Sequence, residues 1–262
     1  MTFTTGETTA DVRTDRWSKR PARMALAVTE DLVDRIVRGE FEAGTALPKE
    51  AELCAHYEAS RTVIREATQS TEAMKLVRAQ QGLGTIVQPF DEWDLANPAV
   101  LAATIRHDAQ LAILEDLIDM RRALESQMAA HAALRAGPDE LGAITEAYER
   151  GVASAQDPTG HLAADLAFHD AVMRASGNRL GRVATNKLLE EALRSLRYLG
   201  ETTAQDFRRS NSGHQAIVER ITARDAEGAA RAMNDHIVGS WLRRRPGHAA
   251  DPALDALRKL GA

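Results

Sequence analysis

The sequence predicts a mainly α-helical protein in two parts: a short helical unit closed by a β-hairpin, then a longer all-helical one. Three observations carry that reading. Apolar residues recur at helical spacing along most of the chain. Aromatic residues make up only 4% of the 262 residues while alanine is abundant, which suits close-packed helices better than a β-sandwich. Strand-like character appears once, around residues 76–87, with a glycine-rich break in its middle.

At roughly 150 residues per domain, this length allows one large or two ordinary domains. An apolar fraction of 44%, a charged fraction of 27% and a net charge of −5 exclude a disordered acidic chain and a uniformly basic nucleic-acid coat. The single cysteine, Cys54, excludes an intramolecular disulfide framework and a multi-thiolate zinc site. Residues 1–20 are polar throughout, and no run of about 18 apolar residues follows, so neither a signal peptide nor a membrane span is expected. The composition reads as that of a cytoplasmic protein.

Residues 1–20 lack periodicity and read as a leader. Met24, Ala27, Val28, Leu32 and Ile36 predict a first helix over 23–37, stopped by Gly39 and the 44–48 stretch. Short helices follow over about 49–57 and 61–74 with almost no loop between them. Residues 76–80 and 85–87 flank a Gln81-Gly82-Leu83-Gly84 break and predict a hairpin, so that 21–89 forms one unit. A linker is expected over 90–96. Helices are then predicted near 97–107, 109–135, 138–154, 159–175, 178–200, 205–223 and 226–243, within an all-helical domain over 97–244 and before a tail over 245–262. Their breaks are Gly137-Pro138, Asp157-Pro158-Thr159-Gly160, Ser176-Gly177-Asn178 and Pro246-Gly247.

Three helices with a tight turn between the second and third, followed by a hairpin, describe a winged helix-turn-helix. Ser60 stands where the N-cap of the third helix belongs. Ile64, Ala67 and Thr71 face inward, which leaves Arg61 and Arg65 on the exposed face with Thr62 beside them. A recognition helix needs this arrangement, because guanidinium groups in its first turns pair bidentately with guanine. Gly82 in the wing permits close approach to a minor-groove backbone. The plain alternative is two solvated arginines on a surface helix. Residues 11–89 hold 12 Lys or Arg against 12 Asp or Glu, so attraction to phosphate must come from a local patch.

In the helical domain, polar residues sit at the centres of apolar faces. Asp165 and His169 share the inner face of Leu162, Phe168 and Val172, one turn apart. His214 lines up with Ile217, Val218 and Ile221, and His236 with Ala229, Ala232 and Met233. Arg121 falls in the stripe of Leu114, Leu117, Ile118, Leu124 and Met128. Buried charges need partners. One carboxylate and three imidazoles are a competent donor set for a divalent first-row metal. Arg121 would then serve as a fork for the carboxylate of a bound ligand. Hydrogen-bonded core histidines, Asp165 bonded to one of them, and Arg121 paired with Glu125 one turn along are the alternatives. His56, His107, His131, His161 and His248 form no comparable pattern.

Two sets of motifs carry a resemblance. Ala46-Leu47-Pro48-Lys49-Glu50-Ala51-Glu52-Leu53, Ser60-Arg61-Thr62-Val63-Ile64-Arg65-Glu66-Ala67 and Gly82-Leu83-Gly84-Thr85 resemble the winged-helix signature of GntR-type bacterial transcription regulators. The resemblance implies that Arg61 and Arg65 read the operator, with Ser60 and Thr62 on backbone or bases. Two departures stand out: Ala51, where relatives often carry a DNA-contacting arginine, and Glu58, where the turn usually has glycine. Asp119 to Glu125, Asp165 to Asp170, Ser176-Gly177-Asn178, Gly213 to Ile217 and Asp225 through Ile237 resemble the effector domain of the FadR branch. What this implies is an antiparallel helical bundle that holds one divalent ion (Zn, Ni or Mn) per chain through Asp165, His169, His214 and His236. Arg121 and Asn178 are then on a small carboxylate effector, and the chain is a homodimer. Leu53-Cys54, Ser60-Arg61 and residues 89–93 look most like regulators of sugar-acid catabolism of the galactonate type, although Trp93 reads equally as a linker aromatic.

The expectation is a DNA-binding repressor, not an enzyme, released from its operator when a sugar acid or hydroxy acid binds the metal-containing bundle. Two rivals are a metal-dependent enzyme acting on a small organic acid and a DNA binder whose metal is purely structural.

Overall fold

Capping chemistry opens nearly every helix. In the computed structural model, which describes residues 20–200 and 202–245, the chain divides into two compact units, Met1–Asp94 and Leu95–Ala262. Apart from Arg20 and Arg245, the expected leader and tail lie outside the described residues.

In the first unit, α1 (Arg20–Val37), α2 (Glu50–His56) and α3 (Arg61–Ala73) surround a core of Ala25, Val28, Leu32, Leu53, Val63, Ile64 and Ala67. Gly39, at φ 81°, ends α1. Glu58 takes φ 50° in the turn between α2 and α3, a left-handed backbone that costs a non-glycine residue about 1 kcal/mol. Strands β1 (Val77–Gln80) and β2 (Gly84–Val87) pair antiparallel from Val77 opposite Val87 to Gln80 opposite Gly84.

Two local features differ from expectation. The 44–47 stretch does more than stop a helix: it lies along β2, with Leu47 N–H on Thr85 O at 2.8 Å and Val87 N–H on Thr45 O at 2.9 Å. Within the expected linker, Phe90–Glu92 forms a 3-10 turn, and the Trp93 indole donates to Gln88 O at 2.9 Å.

The second unit contains α4 (Pro98–His107), α5 (Ala112–Arg135), α6 (Pro138–Ala153), α7 (Pro158–Ala175), α8 (Arg179–Leu193), α9 (Leu196–Leu199), α10 (Ala204–Thr222) and α11 (Ala226–Arg244). Asn97, Asp157, Asn178, Thr203 and Asp225 each accept a backbone N–H at the helix they open. Proline occupies the first turn of α4, α6 and α7, where its missing N–H costs nothing. The predicted 178–200 helix is broken: the last turn of α8 tightens, with Ser195 N–H on Ala192 O at 2.9 Å, and α9 follows as a separate turn.

α5 packs along α11, α10 along α11, and α6 along α7. Their shared core runs from Leu114 and Ile118 through Ala129, Phe168 and Val172 to Ile217, Met233 and Trp241. Alanines at the helix crossings let the axes approach closely. Asp170 fastens α8 to α7 by accepting from Arg182 Nε at 2.6 Å and Asn186 Nδ2 at 2.8 Å. Among the described residues, no helix is long and apolar enough to cross a membrane.

Candidate functional site

On α3, Ser60 caps the helix by accepting the Val63 N–H at 3.4 Å, while Val63, Ile64, Ala67 and Thr71 are buried. Arg61 and Arg65 stand 75% and 67% exposed on one face, beside exposed Thr62. Glu50, in the first turn of α2, reaches both. Its Oε2 accepts from Arg65 Nε at 2.7 Å, and its Oε1 lies 3.8 Å from Arg61 Nε. Sequence reasoning passed over Glu50, because the pairing spans two helices and no periodicity marks it. Gly82 sits at the hairpin tip with φ 79°, and nothing lies within 4 Å of where its side chain would be. A flat backbone can therefore come up against it.

In the second unit, α7 carries Asp165 and His169 at i and i+4, α10 carries His214, and α11 carries His236. One donor atom from each lies within 4.8 Å of every other. The three imidazoles meet through their Nε2 atoms: His236 to His169 at 3.2 Å and His236 to His214 at 3.1 Å. Asp165 Oδ1 lies 3.4 Å from His214 Nε2 and accepts from Ser210 Oγ at 3.3 Å. Phe168 stacks on the His214 ring at 4.1 Å. Gly213 leaves room for His236, since a Cβ there would fall 2.5 Å from its Nδ1.

Electrostatics match the geometry. Burial pushes the His214 and His236 pKa values down, His214 to about 3, so both rings are neutral at pH 7 and carry lone pairs. For Asp165, burial acts upward, but the neighbouring His169, His214 and Arg244 outweigh it and hold the carboxyl at about 2. Two donors held about 2.1 Å from an ion lie about 3.0 Å apart at right angles and about 3.4 Å apart at the tetrahedral angle. Asp165 to His214, and His236 to each of the other two histidines, fall in that interval at 3.1–3.4 Å, and the whole set, within 4.8 Å, can draw in around a divalent ion.

Behind the cluster, Glu125 on α5 is fully buried. Its Oε2 faces His169 Nδ1 at 2.6 Å and its Oε1 accepts from Arg121 Nε at 2.6 Å. A carboxylate accepts, so Nδ1 of His169 carries the proton and Nε2 presents its lone pair to the cluster. Burial would raise the Glu125 pKa, but Arg121 and His169 bring it to about 2, and Arg121 is correspondingly raised. Arg121 Nη1 also donates to Tyr198 Oη at 2.7 Å.

A cavity of about 340 Å³ adjoins Asp165, walled by α7, by Leu199, Gly200 and Thr202, by α10 and by the end of α11. Two expected effector residues are not among those lining it. Arg121 is spent on Glu125 and Tyr198, the alternative that the i, i+4 spacing had left open. Asn178 is exposed and caps α8, its Oδ1 accepting the Gly181 N–H at 3.0 Å. The cavity instead holds residues that periodicity gave no reason to choose. His161, stacked on Phe207 at 4.3 Å, is in its wall, as are Arg243 and Arg244.

Known proteins match both units. The family model described as "Bacterial regulatory proteins, gntR family" covers residues 24–87, and the "FCD domain" model covers residues 116–239. The "Galactonate operon transcriptional repressor" of Escherichia coli K12 is 27% identical over 84% of this chain and 98% of its own length. The "HTH-type transcriptional regulator LutR" of Bacillus subtilis 168 is 30% identical over 77% of this chain and 92% of its own. Among solved structures, one described as "Lar controls the expression of the Listeria monocytogenes agr system and mediates virulence" aligns with a TM-score of 0.54 at 13% identity. That alignment covers 84% of this chain and 95% of that one, and speaks for the fold alone. A DNA-reading winged unit ahead of an FCD domain, with full-length relatives that regulate transcription, leads to one assignment: the chain belongs to the gntR family of bacterial regulatory proteins and is a transcription regulator, not an enzyme.

Proposed function

We propose that this regulator represses its target genes in the bacterial cytoplasm and leaves its operator when a small carboxylate, a sugar acid or hydroxy acid, occupies the cavity beside Asp165. The observation that carries this reading is the convergence of Asp165, His169, His214 and His236 beside a cavity that Asp165 lines, in a chain whose other unit presents Arg61 and Arg65 to solvent.

Asp165, His169, His214 and His236 hold one divalent ion, with zinc, nickel and manganese all compatible with one oxygen and three nitrogen donors. Such an ion supplies Lewis-acid attachment for a carboxylate oxygen. The protein does the rest. Glu125 keeps His169 in the donating tautomer, Arg121 keeps Glu125 ionised, and the cavity walls select the ligand. On the DNA side, Arg61 and Arg65 pair with bases, Ser60 and Thr62 meet the backbone, and Gly82 brings the wing close. Two copies joined through their helical domains read two half-sites about one DNA turn apart. A ligand that favours one packing of the bundle alters that spacing and weakens operator binding. The galactonate repressor among the relatives supports a sugar-acid effector.

Fluorescence anisotropy on operator DNA tests the reading. R61A and R65A should each keep the fold and lose specific binding, and retention by both would refute the DNA assignment. A panel of sugar acids and hydroxy acids added to the metal-loaded repressor should release the operator. Unchanged affinity across the whole panel would make the metal a structural element only.

A further inference from the structure

We infer that the cavity beside Asp165 selects an acid with two anionic ends, one held at the four-residue cluster and the other between Arg243 and Arg244. This rests on the effector reading above and names the ligand class for the same site.

The argument begins with charge. Arg243 and Arg244, in the last turn of α11, both line the cavity. Besides Asp165, the described residues of the wall hold one other acid, Asp206, and that carboxylate is largely committed: its Oδ2 accepts the Thr203 N–H at 3.0 Å and the Thr203 hydroxyl at 2.6 Å. Its Oδ1 lies 3.9 Å from Arg243 Nε and 4.0 Å from Arg209 Nη1, beyond hydrogen-bond length in both directions. Two guanidiniums thus share one distant oxygen. Arg244 helps hold the Asp165 carboxyl ionised and is otherwise steadied by uncharged groups. Its guanidinium lies 4.8 Å over the Tyr198 ring, and its Nε donates to Ser240 O at 3.3 Å. Burial also works against the charge on Arg243, with Arg244 and Arg209 adding repulsion that a bound anion would relieve.

A basic last turn suits the helix dipole and needs no ligand. Solvent-facing arginines would satisfy that role equally, whereas these two line the cavity that Asp165 also lines. Tyr198 ties the two ends together, because its hydroxyl accepts from Arg121, which grips Glu125, which holds His169. Between the ends, Thr159, Thr202 and Ser210 offer hydroxyls to a polyhydroxylated chain. A volume of about 340 Å³ suits a small acid. The second anion, a carboxylate or a phosphate, would take the forked donors of both arginines.

Isothermal titration of the full-length, zinc-loaded protein with three matched six-carbon probes decides it: gluconate, glucarate and 6-phosphogluconate. One of the two acids with anionic groups at both ends should bind at least about tenfold tighter than gluconate, the gain expected of a charge-assisted hydrogen-bonded pair. Preference for glucarate identifies a carboxylate at the second end, and preference for 6-phosphogluconate a phosphate. R243M and R244M, which keep the aliphatic stems, should abolish the preference, the affinity for the two-ended acid falling at least about tenfold more than that for gluconate. Equal affinity for all three acids in the unaltered protein would overturn the proposal and leave the effector reading standing, as would a preference that survives both substitutions. Should none of the three bind while zinc does, the two-ended proposal would fall, and the effector reading would be decided by the wider panel of sugar acids and hydroxy acids.

Discussion

Oε2 of Glu125 lies 2.6 Å from Nδ1 of His169, and neither residue has access to solvent. The carboxylate is shared, since its other oxygen accepts from Arg121 at 2.6 Å. One buried acid therefore orients a donor of the cluster and balances a buried guanidinium. Glu125→Gln keeps the shape and removes the charge. Metal affinity should fall about 10- to 100-fold, as it does for outer partners of ligating histidines. Stability should drop by about 3 kcal/mol or more, because Arg121 is left as an uncompensated buried cation. Competition with a chromogenic chelator and a denaturant titration give the two numbers. A variant with unaltered metal affinity would detach Glu125 from the cluster.

Metal binding should be visible as stability. Zinc at 100 times its dissociation constant should stabilise the protein by about 2.7 kcal/mol. At about 2–4 °C per kcal/mol for a domain of this size, the melting temperature should rise by roughly 5–10 °C. A chelator should reverse the rise, and H214A and H236A should show neither change. Differential scanning fluorimetry with and without chelator checks this, and equal responses in all three proteins would refute the ligand assignment.

Gly213 is where the backbone of α10 makes room for a ligand on α11. A methyl group there would lie 2.5 Å from His236 Nδ1, and the ring has to move. Gly213→Ala should lower zinc affinity while the helical content by circular dichroism stays the same, since alanine is the better helix former. Unimpaired zinc affinity would mean that the ring has slack.

Glu50 bears on DNA specificity. It neutralises Arg65 and lies near Arg61 when no DNA is present, so base pairing must displace it. Glu50→Gln should raise affinity for scrambled DNA and steepen the logarithmic salt dependence by about one, as one more cation becomes free to meet phosphate. The ratio of operator to scrambled affinity should fall. Measurements at several salt concentrations test this, and an unchanged slope would show the ion pair to be irrelevant to binding.

The halves of this protein differ in how much of them could be read from sequence. Asp165 and His169 were found because i, i+4 spacing is a property of one helix, and an acid in the middle of an apolar stripe is conspicuous wherever that helix docks. The same held for the exposed face of Arg61 and Arg65 and for the cap at Ser60. Periodicity also placed His214 and His236 on inner faces. It said nothing about their Nε2 atoms meeting at 3.1 Å, which depends on how α10 and α11 are rotated against each other. Arg121 shows the limit plainly: its stripe foretold burial, but its partners are Glu125 one turn along and Tyr198, 77 residues away, which accepts from its Nη1. Arg243 and Arg244 carry no local mark of a site; Leu199, Gly200, Thr202 and α10 make them part of a cavity wall. Spacing along a chain reports which face of an element is buried; the partner that meets that face follows from packing between elements distant in sequence, whose relative rotation no local pattern encodes.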